Sequence, residues 1–274
     1  RRRPHPTMTI IPALTTNPPA ALLPAVAALS YAFLAWAHPR LTAKQTRGVL
    51  ALAWVLHLFV LGMSLLETPA RFGFAPALSV TAWLVLTVYL IESRLYPQLK
   101  ARWTLAVLGT VVVLLALLFP GAQYHALPSN WMPLHWALGI ASYGLIAAAV
   151  VHAWLMQRAE KSMRLGAASD TAMPLLTLER LTFRFVAAGF VLLSATLLVG
   201  GWFSEMINER WVWNHKTAFS VLAWVTMGVL LLGRWRLGWR GRVAVRMLYV
   251  GAGFLLLGYV GSRFVLEVVL QRAV

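Results

Sequence analysis

The chain alternates between long apolar runs and short polar segments. Each run is continuously apolar and approaches the roughly 20 residues that a helix needs to cross a lipid bilayer. A backbone in lipid must satisfy its own hydrogen bonds, so only helices and closed barrels span membranes. Because these runs do not alternate, they predict an all-α polytopic membrane protein, a bundle of eight transmembrane helices. The predicted spans are residues 20–37, 48–66, 74–91, 103–120, 134–156, 183–203, 215–233 and 243–268.

Lys and Arg concentrate in every second polar segment, which predicts the orientation of the helices. Loops rich in Lys and Arg stay on the cytoplasmic side. The basic segments are 38–47, 92–102, 157–184 and 234–246. Both termini are therefore predicted to lie outside, and the outer loops would be 67–73, 121–133 and 204–214.

The apolar runs also suggest how the chain divides. Residues 1–19 are rich in Arg, Thr and Pro, and we expect a disordered N-terminal tail there. The eight-helix transmembrane domain should then cover residues 20–268. The longest inner segment, about 157–180, contains Gly, Ser, Asp and Pro and is expected to be a flexible linker between two halves of the bundle.

Composition supports the membrane class and excludes several functions. The 274 residues are 60% hydrophobic and 12% charged, about half the charged fraction of a soluble domain. The formal net charge of +16 fits basic flanks held by anionic lipid better than nucleic-acid binding. Without cysteine, the chain cannot form a disulfide or attach haem covalently. No catalytic triad, phosphate-binding loop or HExxH motif occurs, so we expect no enzymatic activity.

Two histidines lie within predicted spans. His57 falls near the middle of the second span, where ionisable residues are rare and usually face the bundle interior. It is either a neutral side chain bonded to a backbone carbonyl or a Ser or Thr, or else a haem or metal ligand or proton relay. His152, about one turn from the inner end of the fifth span, is interpreted as an interfacial polar residue.

Two further histidines open spans at the outer face. His135 begins the fifth span and His215 begins the seventh, so the two imidazoles share a depth. They form either part of an aromatic belt or a haem site, because imidazole is a common haem ligand. Lys216 adds a cation that pairs with nearby Glu residues or with haem propionates. The tryptophans that line this outer rim are Trp131, Trp136, Trp202, Trp211 and Trp213.

Three segments in the second half resemble one family. They are LERLTFRFVAAGFVLLSATLLVGGWFSE at 178–205, WVWNHKTAFSVLAW at 211–224 and GWRGRVAV at 238–245. They are similar to the cytochrome c assembly family of haem-handling membrane proteins, the CcsA/CcmC type. They also resemble the YpjD-like and HemX-like inner-membrane members of this family, which have eight helices. The resemblance covers roughly residues 130–268, with 134–268 as the assembly-like half.

The family's tryptophan-rich outer loop typically ends in W-x-W-D-P-K-E. Trp211, Trp213 and Lys216 match this motif, whereas Asn214 replaces the Asp and His215 the Pro. The family's outer His before a helix resembles His135, and its partner His after the last helix has no match in this sequence. We infer from their shared depth that His215 could replace that partner.

The resemblance implies a bacterial inner-membrane protein that binds or transfers haem during cytochrome c assembly. His135 and His215 would bind the iron, the five tryptophans and Lys216 would surround the haem, and His57 is a possible inner ligand. Expected partners are lipid, haem and other maturation or membrane proteins. The alternative is a membrane regulator or scaffold, HemX-like, that keeps the fold without binding haem.

Overall fold

The computed structural model describes residues 18–66, 71–95, 102–123, 132–165, 174–208 and 215–270. Eight helices make up almost all of this part of the chain, which confirms the predicted all-α bundle. The helices are α1 (Pro18–Ala37), α2 (Ala43–Leu66), α3 (Phe74–Leu95), α4 (Arg102–Leu118), α5 (Met132–Arg164), α6 (Leu175–Asn208), α7 (His215–Leu237) and α8 (Gly241–Leu256). α8 continues through turns at Leu257–Gly261, Ser262–Phe264 and Val265–Val269. Most of the predicted tail lies outside the described residues.

Six helices are long and apolar enough to cross a membrane. They are α2, α3, α5, α6, α7 and α8 with its continuation, Gly241–Val269. α1 and α4 contribute shorter apolar stretches, Ala21–Ala37 and Trp103–Leu118. The protein therefore has the helices of a multi-pass membrane protein, and the crossing of the bilayer by α1 and α4 remains a prediction.

The predicted flexible linker at about 157–180 is mostly helical. α5 continues to Arg164, two turns past the apolar run, and α6 already begins at Leu175. An apolar run measures the part of a helix that lies in lipid, whereas backbone hydrogen bonding continues into the polar flanks. Residues 166–173, between the two helices, lie outside the described residues.

Contacts between helices show how the helices run. In the continuation of α8, Glu267 accepts a hydrogen bond from the backbone N–H of Phe74, the first residue of α3. Near the other end of α3, Glu92 lies 2.8 Å from His152 of α5. α3 and α5 therefore begin at one end of the bundle, and α8 ends there.

A short antiparallel ribbon lies at this same end. Strand β1 (Arg71–Phe72) pairs with strand β2 (Ala122–Gln123). This pairing joins two of the loops that the sequence predicts to be outer. The apolar runs in the sequence do not predict these strands. We call this end of the molecule the ribbon end.

One contiguous core joins the first four helices to the last four. α5 packs most extensively on α6, α1 packs on α2 and α4, and α3 packs on both α4 and α5. Fully buried side chains in this core come from all eight helices, among them Tyr31, Leu86, Ile146, Met227 and Leu248. The described helices therefore share one interior, which fixes the depth of the polar side chains within it.

The turn at Leu257–Gly261, in the continuation of α8, is π-helical and has an identifiable cause. The Tyr143 hydroxyl of α5 donates a hydrogen bond to the Leu255 carbonyl and also bonds to the backbone of Tyr259. A regular helix would join those two backbone groups to each other, so the hydroxyl occupies the place of that bond. Side chains that insert into the hydrogen-bond ladder in this way produce π-bulges and kinks.

Candidate functional site

His135 lies in the first turn of α5 at the ribbon end and is half-buried. Its Nδ1 is 3.1 Å from the carbonyl oxygen of Thr196 in α6. A carbonyl can only accept a hydrogen bond, so Nδ1 carries the proton and donates it. The lone pair of the neutral ring is then on Nε2. Metal-binding histidines commonly have this arrangement, because the bond at one nitrogen fixes the tautomer and orientation of the ring.

Gly200 provides the space beside this imidazole. A Cβ atom at residue 200 would lie 2.8 Å from His135 Cε1 and 3.2 Å from Nδ1. Contacts this short would push the ring away from α6. The Thr196 carbonyl and Gly200 therefore position the ring together, from successive turns of one helix.

His215 is the first residue of α7, as predicted, and it is exposed. The next residue, Lys216, is half-buried, and its Nζ lies 6.0 Å from the centre of the Tyr259 ring in α8. The described contacts thus attach His135 to α6 and Lys216 to α8. No described contact joins His135 to His215.

The structure describes part of the predicted tryptophan rim. Trp136 is half-buried in α5, and Trp202 in α6 is 67% exposed. Trp131, Trp211 and Trp213 lie outside the described residues. The same is true of three charged residues in the predicted outer loops, Glu67, Glu209 and Arg210.

His57 is fully buried, and both of its ring nitrogens have partners. Nε2 lies 2.8 Å from the Ser79 hydroxyl of α3, and Nδ1 lies 3.4 Å from the Tyr31 hydroxyl of α1. The Tyr31 ring also packs edge-on against the imidazole. The sequence leaves two alternatives for His57, a hydrogen-bonded neutral side chain or a ligand or proton relay. The contact with Ser79 is the one expected for the hydrogen-bonded side chain. His57 joins three helices, α1, α2 and α3.

His152 is buried between helices and makes a polar contact with another helix that the sequence does not predict, whereas its position near the membrane interface stays a prediction. His152 Nε2 lies 2.8 Å from Glu92 Oε2, and Nδ1 lies 2.8 Å from the Ala148 carbonyl. The Phe185 ring packs against the imidazole. The apolar pattern predicts a loop at residue 92, whereas α3 continues through it to Leu95. The signal for this buried pair in the sequence is the Glu92 carboxylate, which directly follows the apolar run 74–91.

A second group of charged side chains is buried at the ribbon end and was also missed. Arg263 and Glu267 in the continuation of α8 are only 7% and 8% exposed. Arg263 Cζ lies 5.9 Å from the Tyr259 ring that Lys216 also faces. We call Lys216, Tyr259, Arg263 and Glu267 the outer charged cluster. Ionisable residues inside an apolar span are the sequence signal for such a site.

The described part of the chain has no group of three or more His, Cys, Asp or Glu residues placed to hold a metal ion. Haem does not need such a group, because the porphyrin supplies four nitrogens and the protein adds one or two axial ligands. The single imidazoles at the ribbon end, His135 and His215, fit a haem better than a bare metal ion.

Comparison with known proteins gives a family match over most of the chain. The family described as "Cytochrome C assembly protein" matches residues 45–270. An uncharacterized 28.8 kDa protein of Azospirillum brasilense is 34% identical over 52% of this chain and 54% of its own length. The inner membrane protein YpjD of Escherichia coli K12 is 34% identical over 50% of this chain and 53% of its own length. The chain spans about half the length of these curated relatives.

A longer but weaker match is the cytochrome c biogenesis protein CcsA of Trieres chinensis. It is 22% identical over 66% of this chain and 70% of its own length. No solved structure matches the chain. These findings confirm the resemblance seen in the sequence, and they extend it from residues 130–268 to 45–270, which includes α2, α3 and α4. They also confirm the expectation of a multi-pass inner-membrane protein.

Proposed function

Because the chain belongs to the cytochrome c assembly protein family, we propose that it binds haem non-covalently at the ribbon end during cytochrome c assembly. His135 would hold the haem iron, and His215 is the candidate for a second ligand. The tryptophan rim and Lys216 surround the porphyrin. In this proposal all eight helices cross the membrane and the ribbon end faces outward, with both termini outside.

The observation that carries the proposal is the fixed tautomer of His135. The Thr196 carbonyl holds the Nδ1 proton, so the ring presents Nε2 as its lone-pair nitrogen. Haem, when bound, supplies an iron that accepts an imidazole nitrogen and a flat apolar face. The chain's own part is to orient the ring, which it does through Thr196 and Gly200. Removing the hydrogen-bond partner of a metal-binding histidine typically lowers the metal affinity about 10–100-fold.

The direction of the ribbon end has support from the loops. The β1–β2 pairing joins residues 71–72, from the sequence segment 67–73, to residues 122–123, from the segment 121–133. Both segments are poor in Lys and Arg compared with the segments that connect the helices at the other end. The positive-inside rule then assigns the ribbon end to the outside.

The test is haem titration of the purified protein, followed by the Soret band. Wild type is compared with His135→Ala, His215→Ala and the matched control His38→Ala. His38 is a suitable control because it is also half-buried with Nδ1 bonded to a backbone carbonyl, that of Ala35, but lies outside the proposed site. We expect His135→Ala to weaken haem binding at least about 10-fold and His38→Ala to leave it unchanged.

A second variant tests whether ring position matters. Gly200→Ala would place a methyl group against His135, whereas Gly139→Ala would meet Thr196 Cγ2 at an ordinary distance of 3.5 Å. We expect Gly200→Ala to shift or weaken the Soret band while Gly139→Ala does not. A wild-type protein that develops no Soret band, with function intact in the His135/His215 double variant, would support the scaffold alternative instead.

A further inference from the structure

Two cations of the outer charged cluster face one aromatic ring. Lys216 Nζ and Arg263 Cζ each lie about 6 Å from the Tyr259 ring centre, at 6.0 and 5.9 Å. Lys216 comes from α7 and Arg263 from the continuation of α8, so helix packing brings them together. Like charges repel, and burial strengthens the repulsion because little water screens it. A cluster of this kind needs negative charge close by.

Glu267 supplies one negative charge, and its position limits what it can neutralise. Its carboxylate lies against the backbone before α3, where a Cβ at Gly73 would meet both oxygens at 2.8 Å, and it accepts the Phe74 N–H. Among the described residues, Glu267 is the only carboxylate in the cluster. Counted over the described side chains, two cations and one anion leave one positive charge in excess.

The lack of a negative partner is most evident at Arg263. The residue is 93% buried by area, and its Nε–H has no hydrogen-bond partner among the described residues. An unpaired buried donor on a charged group costs more than a typical lost hydrogen bond, and ionisable residues kept inside a span usually mark a functional site. A bound oxyanion would satisfy both the donor and the excess charge.

The cluster lies close to the level of His135. Tyr143 of α5 contacts α8 at Leu255 and Tyr259. From Tyr143, His135 is eight residues, or about 12 Å, toward the ribbon end. From Tyr259, Arg263 is four residues, or about 6 Å, toward the same end. The guanidinium therefore lies roughly one helical turn deeper in the bundle than the imidazole.

We propose that Lys216 and Arg263 form a binding site for one carboxylate of the porphyrin whose iron His135 holds. This inference rests on the proposed function and adds a second point of attachment, which would fix the rotation of the porphyrin about the iron–imidazole bond. Lys216 at the half-exposed rim meets the carboxylate first, and Arg263 supplies the buried donor. Glu267 holds α8 against the start of α3 and so keeps Arg263 in place.

The test compares haem with its dimethyl ester, in which both carboxylates are blocked. The measured quantity is the selectivity ratio, the Kd of the ester divided by the Kd of haem, obtained by Soret titration in one detergent. Comparing this ratio between proteins cancels the different partitioning of the two porphyrins into micelles. The variants are Lys216→Gln, Arg263→Gln and Arg263→Lys, and Arg236→Gln is the matched control at the exposed opposite end of α7.

We expect the ratio to fall about tenfold in Lys216→Gln and Arg263→Gln, as for one lost hydrogen bond to a charged group, and to be unchanged in Arg236→Gln. Arg263→Lys should keep part of the selectivity because it keeps the charge. If Arg263→Gln does not fold, as judged by circular dichroism, Lys216→Gln alone decides the outcome.

Three results would overturn the inference, and they differ in what else they overturn. If wild type binds both porphyrins and the variants leave the ratio unchanged, the carboxylate site is wrong and the haem site stands. If the ratio is unchanged but the variants lose co-purified phosphatidylglycerol in native mass spectrometry, the cluster binds a lipid phosphate instead. If wild type binds neither porphyrin, the proposed function fails together with this inference.

Discussion

The hydrogen-bonded group of Tyr31, His57 and Ser79 gives the most specific prediction about what holds the first helices together. All three side chains are completely buried, so each polar atom depends on its neighbour instead of water. The bond from His57 Nε2 to Ser79 is 2.8 Å, and the contact from Nδ1 to Tyr31 is 3.4 Å. Hydrogen bonds weaken at the longer distance, so we expect the two partners to differ strongly in their effect on stability.

Ser79→Ala leaves an imidazole nitrogen buried without a partner. In soluble proteins that costs about 1–3 kcal/mol, whereas membrane-embedded hydrogen bonds average about 0.6 and reach about 1.7 kcal/mol. Because the site is fully buried and the bond short, we expect a loss near the upper membrane value, about 1–1.5 kcal/mol. Tyr31→Phe keeps the edge-on ring contact at 5.8 Å and loses only the long contact, so it should cost less than about 0.5 kcal/mol.

The assay is reversible unfolding in mixed micelles with increasing sodium dodecyl sulfate, followed by far-ultraviolet circular dichroism. Ser30→Ala is the matched control, since the Ser30 hydroxyl bonds only to the Val26 carbonyl of its own helix. Equal losses from Ser79→Ala and Tyr31→Phe, or a Ser79→Ala loss no larger than that of Ser30→Ala, would refute the reasoning. A Soret band lost in Ser79→Ala at full folding would point instead to His57 as a haem ligand.

Three further predictions concern the ribbon end and the orientation of the chain. Tyr143→Phe removes the hydroxyl that satisfies two backbone groups of α8, so we expect a loss of about 1–2 kcal/mol in the same unfolding assay. Gly73→Ala would bring a methyl group within 2.8 Å of both Glu267 oxygens and should destabilise the protein by about 1–3 kcal/mol. Gly253→Ala, in open space, should be neutral or stabilising by up to about 1 kcal/mol; an equal loss in both glycine variants would contradict the contact with Glu267. Reporter fusions in the 38–47 loop should report the cytoplasm, and an external signal there would overturn the proposed orientation.

The number and placement of the helices follow from the sequence because lipid imposes one local rule. A span must be helical and apolar over a nearly fixed length, so each run identifies a helix without knowledge of its neighbours. Thus α7 begins at His215 as predicted. The rule does not predict whether the polar residues beside a span are helical. The extension of α5 to Arg164 therefore does not follow from the sequence.

The polar interior was harder to predict because it depends on which helices pack together. Nothing near His152 in the sequence indicates Glu92, which lies 60 residues earlier and meets it only through the packing of α5 on α3. Arg263 lies in the predicted span 243–268, but only the packing of the helices shows that it is buried. His135 was identified from its position at a helix start beside tryptophan, but its orientation depends on Thr196 and Gly200 of another helix.

The central claim is that His135 binds haem iron, and the most direct measurement is the absorption spectrum of protein purified after haem-replete growth. We predict a Soret band in wild type, its loss in His135→Gly, and its return when imidazole is added to fill the space that the missing ring leaves. A wild-type spectrum without a Soret band, or a band that His135→Gly leaves unchanged, would contradict the account.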